Sequence, residues 1–303
     1  MRRTALLVLA AAMALMVPGC AAPGTSREPQ IVVTTNILGD VTREVLGDQA
    51  TVTTLMQPDA DPHSFEISAQ EAALLGSADL VVSNGLGLEE GLQQHLDRAS
   101  AAGAPMLVAG DVVDVVPYGS GEAAGAPDPH FWTDPAAMID VVNALEAAAR
   151  AIDGIDTGKL AASAAAYRDR LTKLDADMAA AFSALPRERR ALVTNHHVFG
   201  YLAKRYDFRV IGAVIPGGTT LAAPSAADLR HLTQAINTAA VPTIFAESSQ
   251  PDRLVQVLAS EAGVNVQVRE LFTESLTRPG GGAPTYLESM RANTGRIVQG
   301  LAP

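Results

Sequence analysis

The chain has 303 residues, 48% of them apolar and 18% charged, which excludes a disordered chain or a coiled coil and leaves room for one large domain or two ordinary ones. Lys and Arg total 22 against 33 Asp and Glu, a formal net charge of −11, which argues against non-specific nucleic-acid binding. A single cysteine, Cys20, excludes an internal disulfide and a Cys-based zinc site.

Met1-Arg2-Arg3 is a basic start, Ala5 to Val17 is an unbroken apolar run, and Pro18-Gly19-Cys20 ends it. The run is shorter than the ~20 residues a spanning helix needs, and the pattern is that of a secretory signal peptide over residues 1–19. Val17-Pro18-Gly19-Cys20 is similar to a bacterial lipobox, so Cys20 is expected to carry a lipid and to become the mature N-terminus. Residues 20–30 then read as a flexible tether. Loss of residues 1–19 removes two arginines and no acid, which leaves 20 basic against 33 acidic residues and a net charge of −13. The expected body is exported, and is either lipid-anchored at the outer face of the cytoplasmic membrane or periplasmic.

Beyond the tether, β-branched and apolar runs alternate with Ala- and Leu-rich stretches at helical spacing. Strands are expected at Ile31–Thr35, Thr51–Leu55, Asp79–Asn84 and Met106–Ala109, with helical stretches at Ser68–Leu75 and Leu88–Ala99. Lys159–Leu185 contains neither Gly nor Pro and predicts a single helix of about 40 Å. Asp156-Thr157-Gly158 before it and Pro186 after it mark its ends. The alternation then resumes: strands at Ala191–Thr194, Arg209–Ile215, Pro242–Ala246 and Val264–Val268, with helical stretches in Leu221–Ala239 and Asp252–Ala262. The expected fold is α/β. Two lobes with mostly parallel sheets flanked by helices, at residues 31–157 and 187–303, are joined by one long rigid helix at 158–186. A ligand in such a fold sits in the cleft between the lobes, beyond the carboxyl ends of the strands.

Four loops carry metal-ligating side chains. Gln57-Pro58-Asp59-Ala60-Asp61-Pro62-His63 follows the second strand, and Asp128-Pro129-His130-Phe131-Trp132-Thr133-Asp134-Pro135 repeats the Asp-Pro-His tripeptide. Each proline fixes a backbone dihedral beside the imidazole and lowers the ordering cost of presenting it. Asp61 and Asp128 are candidates to orient the rings. Asp134 and Pro135 have the character of a helix N-cap and first turn. Asn195-His196-His197 follows the fifth strand and Phe272-Thr273-Glu274-Ser275 the last. His63, His130, His196 and Glu274 are separated by 67, 66 and 78 residues, so they meet only if the two lobes face each other. Imidazoles suit zinc and its neighbours, and one carboxylate is compatible with a tetrahedral site. His197 and Glu247 remain alternative ligands or supporting groups, while His95 and His231 sit on helical stretches and read as surface residues. A lone loop histidine is more often structural than ligating; the repeated tripeptide and the positions after strands weigh against that here.

Together these segments resemble the extracytoplasmic metal-binding subunits of zinc/manganese ABC transporters, the ZnuA/TroA-like family. The loops at Gln57–Glu66, Asp128–Pro135 and Asn195–Tyr201 look like its first three ligand loops. Ile244–Glu247, Leu271–Leu276 and Tyr286–Met290 look like its C-terminal pattern. The resemblance implies a monomer that hands its ion to a membrane permease driven by an ATPase, and it implies no enzyme and no catalytic residue. The register of the third loop selects His196; relatives with histidine there tend to bind Zn2+ and those with glutamate Mn2+, so zinc is favoured over manganese or iron. Relatives often carry aspartate at the position of Glu274, which leaves the fourth ligand open between Glu274, Glu247 and water. Many zinc relatives have a His-rich loop before the second ligand, but residues 117–126 contain no histidine. Two readings of another class are a secreted zinc hydrolase, without a His-Glu-x-x-His motif to support it, and a metal-binding adhesin.

Overall fold

The computed structural model describes residues 27–119, 123–215, 217–261 and 266–303. The leader and Cys20 lie outside the described residues. In the first lobe, β1 (Gln30–Val33), β2 (Thr51–Thr54), β3 (Leu80–Ser83) and β4 (Met106–Val108) pair in parallel in the order β2-β1-β3-β4. Helices α1 (Asn36–Leu46), α2 (Ala69–Leu75), α3 (Gln93–Ala101) and α4 (Pro135–Ala149) cover it. The second lobe repeats the order. Its strands β5 (Ala191–Thr194), β6 (Arg209–Ala213), β7 (Thr243–Glu247) and β8 (Gln267–Leu271) pair in parallel as β6-β5-β7-β8. Helices α6 (Gly200–Tyr206), α7 (Ala226–Ala239), α8 (Arg253–Glu261) and α9 (Tyr286–Leu301) accompany it.

Between the lobes runs α5 (Thr157–Ser183), 27 residues capped by the Asp156 carboxylate, which accepts from the backbone of Gly158 and Lys159. Its buried residues Leu160, Ala164, Tyr167, Leu171, Leu174, Met178 and Phe182 recur every three or four positions, so one stripe faces inward along the whole helix. This stripe belongs to one continuous core that includes Ile31, Val33, Val141 and Leu145 of the first lobe and Leu192, Phe199, Phe245 and Ile297 of the second. Phe182 packs against Tyr206 in a tilted contact and against Phe208 edge to face, at ring-centre separations of 5.2 and 5.0 Å. Smaller apolar clusters lie on the far face of each sheet.

Several elements begin or end away from their expected positions, each for a local reason. The last strand runs later than Val264–Val268; Val264 and Asn265 lie outside the described residues. The helix expected from Leu88 begins at Gln93, because Leu88–Leu92 turns around the Glu89 side chain, which binds the backbone of Asn84 and Gly85. Within Leu221–Ala239 the expected helix begins at Ala226, where Ser225 and Asp228 form a reciprocal capping box after Pro224. Among the described residues no helix is long and apolar enough to cross a membrane.

Because one core serves both sheets, truncation within α5 is felt by both lobes. Leu171→Ala is expected to cost about 3 kcal/mol and to shift a single cooperative denaturant transition, followed by circular dichroism. Two separated transitions would contradict the shared core.

Candidate metal centre

All four ligand loops leave the carboxyl ends of parallel strands. In the second sheet the chain order reverses between β5 and β7, and His196 follows the first of these strands while Glu247 ends the other. The two Asp-Pro-His tripeptides make the same local turn. Oδ1 of Asp61 accepts the His63 backbone N–H at 2.9 Å, and Oδ1 of Asp128 accepts that of His130 at 2.9 Å. The intervening proline has no N–H to compete for the carboxylate.

The structure brings His63, His130, His196 and Glu274 together, with one ligand atom of each within 4.8 Å of all the others. All four are buried. Oε1 of Glu274 lies 3.0 Å from Nε2 of His63, 3.1 Å from Nε2 of His130 and 3.1 Å from Nε2 of His196. The Nε2 atoms of His130 and His196 are 3.3 Å apart. With metal–ligand bonds of about 2.1 Å, the edge of a tetrahedral site is about 3.4 Å, so these separations are close to those of a four-coordinate ion's donors. Three imidazole lone pairs aimed at one carboxylate oxygen repel one another unless positive charge lies among them. That charge is supplied by protons or by a cation.

Two of the three rings are held from behind. Nδ1 of His130 is 2.6 Å from Oδ1 of Asp128, and Nδ1 of His196 contacts Oε1 of Glu247. Each carboxylate fixes Nδ1 as the protonated nitrogen and turns the Nε2 lone pair inward. Glu247 therefore faces the far side of His196, and Glu274 is the carboxylate that faces the three Nε2 atoms. Nδ1 of His63 and Oε2 of Glu274 are buried without a protein partner among the described residues. Asp61 supports His63 through its backbone and not through its ring. His197 stays outside the group: its ring stands 6.3 Å from that of Tyr118, and burial together with His196 pushes its imidazole below the ordinary range. His231 is exposed on α7 and His95 half-buried on α3.

Burial would raise the Glu274 carboxyl, but the charge of His196 and hydrogen bonds from His130, His196 and His63 pull it well below the usual carboxylate range. Burial would lower His196, yet Glu247 and Glu274 lift it well above its ordinary value. His130 is raised too, against burial, by Asp128 and Glu274. An arriving cation thus displaces protons from imidazoles that bind them more tightly than in water.

The ligand loops are held in place by side chains that are not themselves ligands. Asn36, the first residue of α1, donates to Oγ of Ser275 at 2.8 Å and accepts the Leu276 N–H at 2.9 Å, bracketing the Glu274 loop from the opposite lobe. The Trp132 indole donates to the Thr273 carbonyl at 2.8 Å. Asn293 of α9 pairs with both backbone groups of Phe272. Buried Glu89 accepts from the Thr34 hydroxyl and from the backbone of Asn84 and Gly85, and the Asn84 amide donates to the carbonyl of Pro129, next to His130. Tyr201 of α6 donates to the Asp128 carbonyl at 2.9 Å and accepts the Val116 N–H. A Cβ at Gly200 would come within 2.4 Å of Oδ2 of Asp128, so glycine there permits the carboxylate its position behind His130. An acid or amide just past a strand end is the one signal that marks Asn84 and Glu89, and it is a weak one.

Removing either supporting charge leaves the ligands in place but frees a ring. Asp128→Asn and Glu247→Gln are each expected to lower metal affinity about 10- to 100-fold with the circular dichroism spectrum unchanged, as measured by chelator competition.

Residues 31–300 match the family model described as zinc-uptake complex component A, periplasmic. The chain is 32% identical over 283 residues to the zinc-binding protein TroA of Treponema pallidum, covering 91% of this chain and 89% of that protein. It is 26% identical over 277 residues to the iron-binding protein YfeA of Yersinia pestis, covering 91% and 88%. Identity is also 26%, over 288 residues, to the manganese ABC transporter substrate-binding lipoprotein PsaA of Streptococcus pneumoniae, covering 93% and 92%. The solved structure of periplasmic TroA superposes with a TM-score of 0.82 at 29% identity, over 91% of this chain and all of that one. The fold, the buried donors and the family match agree: the chain belongs to the zinc-uptake complex component A family, the metal-binding substrate-binding components of ABC importers.

Proposed function

We propose that the protein captures zinc outside the cytoplasmic membrane and delivers it to a permease, with His63, His130, His196 and Glu274 as the four ligands. The convergence of three Nε2 atoms and one carboxylate oxygen carries this reading. Nitrogen donors suit zinc, whereas manganese favours oxygen. The fourth protein donor closes the coordination sphere, as in a site that holds an ion; a hydrolytic site keeps a position open for water. The zinc protein TroA is among the relatives. Manganese or iron is the second reading, favoured by the relatives PsaA and YfeA, which match nearly the whole chain in sequence and are named for those metals. Cys20 is proposed as the lipid anchor that keeps a monomeric body near its permease; PsaA is named a lipoprotein.

One zinc per chain is expected on titration of the metal-free protein. His63→Ala, His130→Ala and His196→Ala should each abolish tight binding. Preferential retention of manganese or iron in direct competition would move the assignment to the second reading, and failure to take up any of the three metals would refute a carrier role.

Zinc affinity is expected to fall as pH drops from 8 to 6, because the raised imidazoles of His130 and His196 hold their protons more tightly at each step. Calorimetric titration in two buffers of different ionisation enthalpy should show net proton release. An uptake heat independent of the buffer would contradict proton displacement.

A further inference from the structure

His63 is the one imidazole of the three with no carboxylate behind its ring; its Nδ1 is buried without a protein partner among the described residues. Its position depends on its backbone, and that backbone is held by Asp61. Asp61 is buried, only 8% exposed. Oδ1 accepts the His63 N–H. Oδ2 accepts from the Ser64 hydroxyl at 3.2 Å, the Thr220 hydroxyl at 2.6 Å and the Gln250 amide at 2.6 Å. Thr220 lies between β6 and α7, and Gln250 between β7 and α8. Both belong to the lobe that carries His196 and Glu274, whereas Asp61 and His63 belong to the other. A second crossing lies nearby: the Tyr118 hydroxyl donates to the Gly218 carbonyl at 2.9 Å.

We propose that Asp61 is a latch between the lobes, a positioning residue that ties closure of the cleft to placement of His63. One carboxylate oxygen holds the ligand's backbone while the other is gripped by Thr220 and Gln250 across the cleft. Separation of the lobes releases both grips and gives the carboxylate back to water, which also withdraws His63 from Glu274. The ion draws the same two lobes together, so metal binding and latch closure reinforce one another reciprocally. Neutral donors suit the task, since they leave the negative charge of Asp61 in place and part without stranding a second charge.

The test uses variants on the lobe facing Asp61, at residues that are not themselves ligands, and rests on the carrier reading for one of its two measurements. Thr220→Val and Gln250→Ala are each expected to speed chelator-driven zinc release about tenfold at unchanged stoichiometry, the effect of losing a hydrogen bond to a charged acceptor. Thr220→Ser, which keeps the hydroxyl, should release zinc at the wild-type rate; a structural defect at this position would not be rescued so simply. In the metal-free protein both latch variants should speed hydrogen exchange of the His63 amide. Wild-type release or wild-type exchange in Thr220→Val and Gln250→Ala overturns the latch. If the wild-type protein takes up no zinc, the zinc reading falls, and amide exchange in the metal-free protein still decides the latch.

Discussion

Three imidazole nitrogens within 3.1 Å of one buried carboxylate oxygen are the arrangement on which the rest of the structure depends. Water would separate these groups, and a lone chain segment would not hold them. They come from four loops on two sheets, so their spacing is set by how the sheets are fixed relative to each other. The stripe along α5 provides that fixation by sharing one apolar core between both lobes. Asn36 and Trp132 complete it near the site, where each binds backbone or side chain of the Glu274 loop from the facing lobe.

Charge governs the site as much as shape. Asp128 and Glu247 stand behind two of the rings, and Glu274 stands before all three, so three buried carboxylates surround three imidazoles. With neutral rings this is an excess of negative charge in a poorly solvated space, a condition that either retains protons or binds a cation. The upward displacement of His130 and His196 is the metal-free expression of that field. Selectivity among divalent ions follows from donor type more than from field strength, because any divalent ion relieves the same excess. Relatives of similar sequence named for zinc, iron and manganese are consistent with that separation of roles.

The support is unequal among the ligands. His130 is held by Asp128 at both its backbone and its ring, His196 by Glu247 at its ring, and His63 at its backbone alone. Two identical tripeptides thus give two different outcomes. The Asx-type turn is local and recurs, while ring support depends on how far the carboxylate reaches once the loop is packed. Around Asp128 the Tyr201 hydroxyl and the absence of a side chain at Gly200 set that reach. Around Asp61 the donors of the opposite lobe draw one oxygen away from the ring.

Element types and their order were legible in the chain alone. Strand and helix periodicity, the uninterrupted run from Lys159 to Leu185 and the capping signals at Asp134 and Asp156 are local properties of the chain, and they yield two parallel α/β lobes around one long helix. The same locality placed candidate ligands after strands, where parallel sheets gather their loops. Packing alone settled which carboxylate faces the imidazoles: Glu247 ends one strand and Glu274 follows its neighbour in the same sheet, yet one lies behind His196 and the other in front of it. It also decided the work of Asn36, Glu89, Asp61 and Asn293, whose polar groups reach, among others, partners 21 to 240 residues away in sequence. No spacing rule reaches that far, because such contacts are fixed by the burial of two cores against one helix and not by the residues between the partners.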